Sequence, residues 1–389
     1  MSVLLLIVGI GLFIGLVVVH EFGHFIVARR NGVVAEEFGI FFPPRLYKRK
    51  TKRGLIFSIN ALPLGGFVRL KGEHDSDTEP GTFGAASLWV KSKIMAAGVI
   101  MNLATALVLF TIIALVGMPK LVDHQYTVAR DTTLLSQEVL ITYVEPGSPA
   151  ARAGLQPRDA IAGIALAGHS PVSVPTSQKL PAITKQFAGQ AVTVYYLRAG
   201  HHYEAKLTLR TTADVAASLK TNSPKGYLGI SPADFQLQRS TWSAPVVAVG
   251  LSAQMTVLTF QGLGHALGGL GSLVAGVVTG NNTERQNGQA VASADVSGPV
   301  GIFEILKGGS LLGYQFMLFI IAYISLTLAI MNILPIPALD GGRLWITLIS
   351  RGLKRPLSAK REEFINAAGF FVLISLVVLI TIVDVRRFF

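Results

Sequence analysis

Hydrophobic residues are gathered in long uncharged blocks along this chain, with most of the charged residues between them. A helix needs about 20 apolar residues to cross the hydrocarbon core of a bilayer, and four blocks reach that length. They are Val3 to Val19 taken with the short motif that follows it, Ile94 to Met118, Leu311 to Leu339 and Phe364 to Val383. The pattern predicts a polytopic α-helical membrane protein with four transmembrane helices. Between the second and third blocks there is room for one soluble domain.

Composition and charge agree with a membrane protein. Of 389 residues, 51% are hydrophobic and only 14% are charged, which is too apolar for a single soluble core. The net charge is +12, but eighteen of the 34 lysines and arginines lie in residues 29–93 and 340–363. By the positive-inside rule both connections are cytoplasmic, so the N-terminus and the large insert lie outside. This clustering argues against a nucleic-acid partner and for the lipid bilayer.

A further uncharged stretch, from Thr241 to Asn282, is only moderately apolar. If it crossed the membrane, the third apolar block would end on the outer side and the basic connection 340–363 would lie outside, against the charge rule. We therefore predict that residues 231–310 form helices that lie on the outer surface or re-enter without crossing.

The first apolar block ends in His20-Glu21-Phe22-Gly23-His24, the only ionisable residues between Val3 and Ala28 being His20, Glu21 and His24. Residues four apart share a helix face, so both imidazoles can bind one metal ion with Glu21 beside it as the base that activates water. This is the arrangement of zinc hydrolases. The pentad can arise by chance, but one charge in a membrane helix costs about 2.5 to 3.5 kcal/mol on insertion scales, which favours a function.

The connection after the first block is predicted to form a basic loop at Arg45 to Arg53 and then a β-hairpin over residues 54–71. Two strand-like segments, Gly54 to Leu62 and Gly66 to Leu70, flank turn chemistry at Pro63 to Gly66. The hairpin is either a small cytoplasmic ribbon or an edge to which an extended substrate adds as a strand. In the second case Gly66 and Phe67 are candidate substrate contacts.

The second block carries a small residue, Gly98, and one turn later a polar residue, Asn102. Gly98 allows close approach of another helix, and Asn102 is expected to face protein rather than lipid. Its role, in packing or in the reaction, is left open by the sequence.

The insert, residues 119–230, reads as a small α+β domain. Strands are predicted at 137–144, 159–166, 191–198 and 202–210, with a short helix after 148 and another near 175–188. The segment Gly147-Ser148-Pro149-Ala150, continued by Ala153-Gly154-Leu155, resembles the signature of PDZ domains, although Arg158 stands where they usually have glycine. Such a domain either captures peptide ends by strand addition or obstructs access.

A catalytic zinc site usually has three protein ligands, and Asp340 is the candidate for the third. It ends the third block at the cytoplasmic level of His24, just after Pro335 and Pro337 break the helix. The alternative is an interfacial aspartate that caps a loop. Glu304 and Asp384 are expected on the outer side, and His74 in a mobile loop.

Taken together, these motifs resemble the bacterial site-2 protease family, the intramembrane zinc metalloproteases. The resemblance rests on His-Glu-x-x-His in the first block, Gly-x-x-x-Asn in the second, the PDZ-like insert, and the run from Asn332 to Asp340 in the third. It covers nearly the whole chain. It departs at Val99, where relatives often have proline, and in an insert long enough for one PDZ domain where some relatives have two.

By this resemblance His20, His24 and Asp340 would bind Zn²⁺ and Glu21 would activate water. Asn332 would help to hold the substrate strand, and Asn102 matches a polar position that is a candidate substrate contact. The substrates would be single-pass membrane proteins of the bacterial inner membrane, either anti-sigma factors or remnant signal peptides, in regulated intramembrane proteolysis.

The implied organisation is a membrane metalloprotease core in two halves, residues 1–118 and 311–389. The extracytoplasmic PDZ-like domain and the outer helices are inserted between them, and the active site is near the cytoplasmic face. One alternative is a non-enzymatic scaffold whose PDZ-like domain binds C-termini and whose metal is structural. Another is a metalloprotease that cleaves soluble cytoplasmic tails.

Overall fold

The computed structural model describes residues 2–52, 54–73, 77–219, 224–279, 298–353 and 358–388. The chain divides into two compact units, one formed by Met1–Ile113 with Ala244–Phe389 and the other by Ala114–Ser243. The helices are α1 (Ser2–Arg30), α2 (Leu88–Val116), α3 (Pro149–Arg152), α4 (Leu180–Gln186), α5 (Thr212–Ser218), α6 (Ala244–Thr279), α7 (Pro299–Leu312), α8 (Tyr314–Ile333), α9 (Asp340–Gly352) and α10 (Ala359–Phe388). The strands are β1 (Ala35–Lys50), β2 (Ile56–Leu70), β3 (Met118–Pro119), β4 (Thr133–Val144), β5 (Ala160–Leu166), β6 (Val172–Ser173), β7 (Ala191–Arg198), β8 (His201–Thr208) and β9 (Ile230–Arg239).

The first unit holds long apolar helices, and within the described residues five are long and apolar enough to cross a membrane. Four of them, in α1, α2, α8 and α10, overlap the four predicted spans. The fifth covers Ala244–Gly269 within α6, where outer or re-entrant helices are predicted. Because α6 is one continuous helix over Ala244–Thr279, it contains no re-entrant turn; that it stays outside the bilayer remains a prediction.

The third predicted span is shorter than expected. Helix α8 ends at Ile333, before Pro335 and Pro337, since proline cannot donate to the helical hydrogen-bond ladder. A new helix, α9, then begins at Asp340 with that acid in its first turn, where a negative charge suits the helix dipole. The connection 340–363, predicted as a basic loop, is therefore helical over Asp340–Gly352.

The predicted hairpin is wrong in extent, and so is the predicted turn at Pro63 to Gly66. The strands β1 and β2 pair with each other, and the connection between them includes Gly54, which has a φ of 87°. Residues Glu37 to Ile40 pair both with Ile56 to Ile59 and with Gly66 to Arg69, because β2 bends at Pro63 to Gly65 and passes β1 twice. Residues 45–50, predicted as loop, form the end of β1, since Tyr47 to Lys50 pair with Ile59 to Ile56.

The second unit is an α+β domain around one sheet with the strand order β3-β9-β4-β5-β7-β8, in which β6 pairs with β5. Its core is formed by alternate residues of the central strands, among them Val139, Ile164 and Val194. The predicted strands and both predicted helices are present. The boundary predicted at residue 230 moves to Ser243, because β9 pairs with β4 from Ile230 to Arg239.

Candidate metal centre

Three side chains from distant parts of the chain meet at one point in the first unit. His20 and His24 lie one turn apart on α1, and Asp340 begins α9. The Asp340 Oδ2 atom lies 2.9 Å from His20 Nε2 and 3.0 Å from His24 Nε2, and the two Nε2 atoms are 3.3 Å apart. Within the described part of the chain, these three residues are the group whose ligand atoms could hold a metal ion.

The donor set and its spacing fit zinc. Nitrogen and oxygen ligands bind zinc at about 2.0 to 2.2 Å, so two ligand atoms of a tetrahedral site lie about 3.3 Å apart. The three observed separations, from 2.9 to 3.3 Å, are close to that value. Two imidazoles and one carboxylate are also the ligand types of catalytic zinc, which keeps its fourth position open.

The other ring nitrogen of each histidine is also engaged. His24 Nδ1 lies 2.7 Å from the backbone carbonyl of Ile94 and donates to it, which leaves Nε2 as the ligand atom. His20 Nδ1 lies 3.2 Å from the amide of Asn102. Both partners belong to α2, so this helix orients both rings.

Two glycines let α1 and α2 approach closely enough for these contacts. A Cβ atom on Gly98 would lie 2.4 Å from His24 Nε2 and 2.5 Å from His20 Cε1, and one on Gly23 would lie 2.7 Å from the backbone oxygen of Ala97. The space beside Gly98 is therefore occupied by the ligand nitrogens themselves. The sequence pattern predicted close helix approach at Gly98 but not this contact with the histidines.

Gly98→Ala is expected to weaken zinc binding at least tenfold, because the new methyl group displaces ligand nitrogens whose placement sets the affinity. The measurement is zinc affinity by chelator competition on the purified protein. The matched control is Gly15→Ala on α1, where an added Cβ meets nothing within 4 Å. Equal zinc affinity of Gly98→Ala and the wild type would contradict the assigned geometry.

The three ligands open into a cavity of about 580 Å³ that Glu21 also lines. The bent strand β2 forms one wall of this cavity from Gly65 to Leu70. A Cβ atom on Gly66 would lie 2.9 Å from Glu21 Cγ, so this strand runs directly past the candidate base. Residues Gly66 to Arg69 pair with β1 along one edge, and in the described structure no strand pairs with the other edge.

A buried carboxylate links side chains of the β1–β2 sheet. Glu37, which is 0% exposed, forms ion pairs at 2.7 Å with Arg45 and with Arg69, and Arg69 lies near the end of β2 in the wall of the cavity. Burial disfavours the charged form of Glu37, but hydrogen bonds from Ser58 and Arg45 hold its pKa below the ordinary value. The ionised Glu37 thereby anchors the strand that faces Glu21.

Asp340 is positioned by a tightly packed chain reversal. Added Cβ atoms on Gly341 and Gly342 would lie 2.3 Å from the backbone oxygen of Leu334 and 2.1 Å from that of Ile336. Only glycine fits such close backbone approaches. One turn into α9, Arg343 pairs with Glu73 at 3.5 Å, and Glu73 also accepts from the backbone amide of Leu70 at the end of β2. Glu73 thus connects the first turn of α9 with the end of β2.

The structure brings together the three predicted ligands and Glu21, and the remaining predicted residues lie around the same cavity. Asn332 lines it without a hydrogen bond from its side chain to the described residues, and Gly66 and Phe67 form part of its wall. Asn102 also lines the cavity, but its amide contacts His20. Substrate contacts of these four residues stay predictions.

The rival third ligands are not part of this cluster. Asp384 accepts hydrogen bonds from the backbone amides of Gly298 and Gly301 at 2.9 and 2.8 Å, so it caps the start of α7. Glu304 pairs with Lys307 on α7. His74 lies outside the described residues. The alternative role for Asp340, as a loop cap, is not observed: Leu339 is the N-cap of α9, and Asp340 lies in its first turn.

Comparisons with known proteins agree with this geometry. The sequence model of peptidase family M50 matches residues 8–376. A candidate zinc metalloprotease of Clostridium perfringens is 30% identical over 373 residues, which cover 96% of each chain. One of Clostridium acetobutylicum is 30% identical over 371 residues, covering 95% of this chain and 94% of its own, and one of Campylobacter jejuni is 28% identical over 382 residues, covering 96% and 90%.

Proposed function

This chain belongs to peptidase family M50, and from that premise we propose that it is a zinc-dependent endopeptidase that cleaves single-pass membrane proteins within the bilayer. The observation that carries the proposal is the meeting of His20, His24 and Asp340 beside Glu21 in one cavity. The long apolar helices and the family identify a multi-pass membrane protease. A site that acts on membrane-embedded substrates is the most direct use of two histidine ligands carried by an apolar helix.

His20, His24 and Asp340 would hold the zinc ion. A zinc ion with an open position supplies Lewis acidity, which lowers the pKa of water to about 7 and polarises a carbonyl. Glu21 then acts as general base and takes the proton from the attacking water. The same carboxyl group, now protonated, delivers that proton to the amine that leaves when the peptide bond breaks.

The free strand edge at Gly66 to Arg69 can bind the substrate segment that contains the scissile peptide bond. A transmembrane helix hides its carbonyls in its own hydrogen bonds, so the substrate must unwind before attack. An unwound segment that adds to this edge as a strand gains main-chain hydrogen bonds directly beside Glu21. Asn332, whose side-chain amide has no partner among the described residues, supplies a further donor and acceptor.

The direct test compares two forms of one substrate. A single-pass reporter segment is reconstituted with the zinc-loaded protein in vesicles, and the same peptide is offered in solution. We expect cleavage of the embedded reporter and its loss on treatment with a zinc chelator. Equal cleavage of the soluble peptide would favour the alternative of a protease for soluble tails, and no cleavage of either form would reject the proposal.

The non-enzymatic scaffold predicts a closed site with four protein ligands. In the part of the chain that the structure describes, the cluster has three ligands and opens into a cavity, which favours catalysis over a structural metal.

We propose that the α+β unit is a PDZ-like domain that screens substrates, by excluding untrimmed proteins or by binding peptide ends. Anti-sigma factors and remnant signal peptides are the proposed substrates, in regulated intramembrane proteolysis.

We propose the bacterial inner membrane as the location, with the N-terminus and the α+β unit outside and the metal site near the cytoplasmic face. The clustering of basic residues in 29–93 and 340–363 supports this orientation. It requires that residues 231–310 do not add a crossing.

An introduced cysteine tests this orientation without background mutations, because the chain has no cysteine of its own. Arg285→Cys, which lies outside the described residues, is expected to react with a membrane-impermeant maleimide in intact cells. Lys52→Cys on the predicted cytoplasmic side is the control and is expected to react only after permeabilisation. Protection of Arg285→Cys until permeabilisation would mean that α6 crosses the bilayer.

A further inference from the structure

We propose that Asn102 is a positioning residue for the metal: its side-chain oxygen accepts a hydrogen bond from the Nδ1–H group of His20, which leaves His20 Nε2 free to bind zinc. The inference rests on the metal-binding part of the proposed function and is independent of whether the protein cleaves peptide bonds.

The contact is buried and specific. Asn102 is 1% exposed on α2, and its side-chain amide lies 3.2 Å from His20 Nδ1. The other ring nitrogen of His20, Nε2, faces Asp340 at 2.9 Å. The two nitrogens of His20 therefore have different partners, one at the metal position and one on α2.

The chemistry of a metal-bound imidazole decides which end of the amide faces His20. A neutral imidazole carries one N–H group, and the nitrogen that binds a metal must offer its lone pair. With Nε2 as the ligand atom, Nδ1 carries the hydrogen, so its partner must be an acceptor. An amide nitrogen cannot accept, but the amide oxygen can.

Rotating the Asn102 amide by half a turn provides that acceptor. The oxygen and nitrogen of a carboxamide have nearly the same shape, so their assignment follows the hydrogen-bond network. With the amide nitrogen toward His20, the amide oxygen is buried without a hydrogen-bond partner, and the nitrogen has His20 as its partner among the described residues. The rotation therefore gives up no other hydrogen bond and directs the oxygen to Nδ1–H.

The Nδ1 atom of His24 also has its partner on α2, but this partner is a backbone carbonyl and not a side chain. This Nδ1 donates to the carbonyl of Ile94, also on α2, at 2.7 Å. Metal-binding histidines usually donate their second N–H group to an acceptor that fixes the ring and raises its basicity, and loss of that acceptor typically costs 10- to 100-fold in metal affinity. On α2 a main-chain carbonyl serves His24, and the Asn102 side chain serves His20.

The backbone of Asn102 is fixed separately from its side chain. Its carbonyl oxygen accepts a hydrogen bond at 2.8 Å from the fully buried hydroxyl of Ser325 on α8. Ser325→Ala therefore removes a buried polar group at the same place without touching the amide. It is the matched control for packing.

The experiment measures zinc affinity by chelator competition, and the visible spectrum of the cobalt-substituted protein, for the purified full chain and its variants. Asn102→Leu, of similar size but without an acceptor, is expected to bind zinc 10- to 100-fold more weakly. Asn102→Asp, which retains the acceptor, is expected to bind at least as tightly as the wild type with the same cobalt spectrum. Ser325→Ala is expected to match the wild type.

Wild-type affinity in Asn102→Leu would overturn the inference. So would a tenfold or greater loss in Asn102→Asp, because the acceptor is still present there; this second criterion holds even if Asn102→Leu does not fold. Thermal unfolding of each metal-free variant separates loss of folding from loss of binding. If the wild type itself bound no zinc, the proposed function would fail, whereas a wild type that binds and an unaffected Asn102→Leu would remove only the role of Asn102.

Discussion

Glu21→Gln is expected to reduce cleavage of a membrane-embedded reporter by about 10²- to 10⁴-fold, the usual contribution of general acid–base catalysis. Glutamine has the size and shape of glutamate but cannot take a proton from water. Because Glu21 lies beside the ligands in the cavity and outside the three-ligand cluster, the zinc content should stay that of the wild type. The measurement pairs the cleavage rate in vesicles with metal analysis of the same preparation.

Glu304→Gln is the matched control, since Glu304 pairs with Lys307 on α7 away from the cavity and its loss should leave the rate unchanged. Cleavage by Glu21→Gln at the wild-type rate would reject Glu21 as the base. Loss of zinc together with activity would instead place Glu21 among the ligands.

Asp340→Ala is expected to lower zinc affinity by more than 100-fold. Loss of a group that only supports a ligand typically costs 10- to 100-fold, and here an oxygen within 3.0 Å of both ligand nitrogens is removed outright. Metal analysis of the purified variant, followed by zinc titration, measures the loss. Cleavage should disappear with the metal and return in part at high zinc concentration.

The control for removing a carboxylate from the same unit of the structure is Asp384→Asn. Asp384 is buried and accepts two backbone hydrogen bonds, but it lies outside the metal cluster, so this variant should retain zinc. Metal content in Asp340→Ala equal to that of the wild type would remove Asp340 from the ligands and leave a site of two histidines.

Much of the site can be predicted from local patterns. His20 and His24 are recognisable because residues four apart always share a helix face. Asp340 follows from the predicted topology, in which two spans run in the same direction and bring their ends to one depth. The spans themselves follow from the length of the apolar blocks, which the bilayer thickness dictates.

Other features could not be predicted from the sequence, because contacts between residues distant in the chain override local preferences for secondary structure. Pro63 to Gly66 have the composition of a turn, yet they form a bend inside β2, because pairing on both sides of Glu37 to Ile40 stabilises a longer strand. Likewise β9 lies beyond the predicted end of the α+β domain, and it is held there by its pairing with β4.

Residue order alone was thus sufficient to predict four of the long apolar helices and to identify three candidate metal ligands and a candidate base that lie together, because helical periodicity and hydrophobic length are properties of the sequence. How α2 packs against the two histidines could be determined only from the tertiary structure. Three features depend on distances between elements far apart in the chain. Gly98 lies against both histidine rings, the Asn102 side chain rather than a backbone group contacts His20, and a free strand edge passes Glu21. Such distances are set by the packing of whole helices and strands, in which a shift of one ångström decides whether two groups make a hydrogen bond.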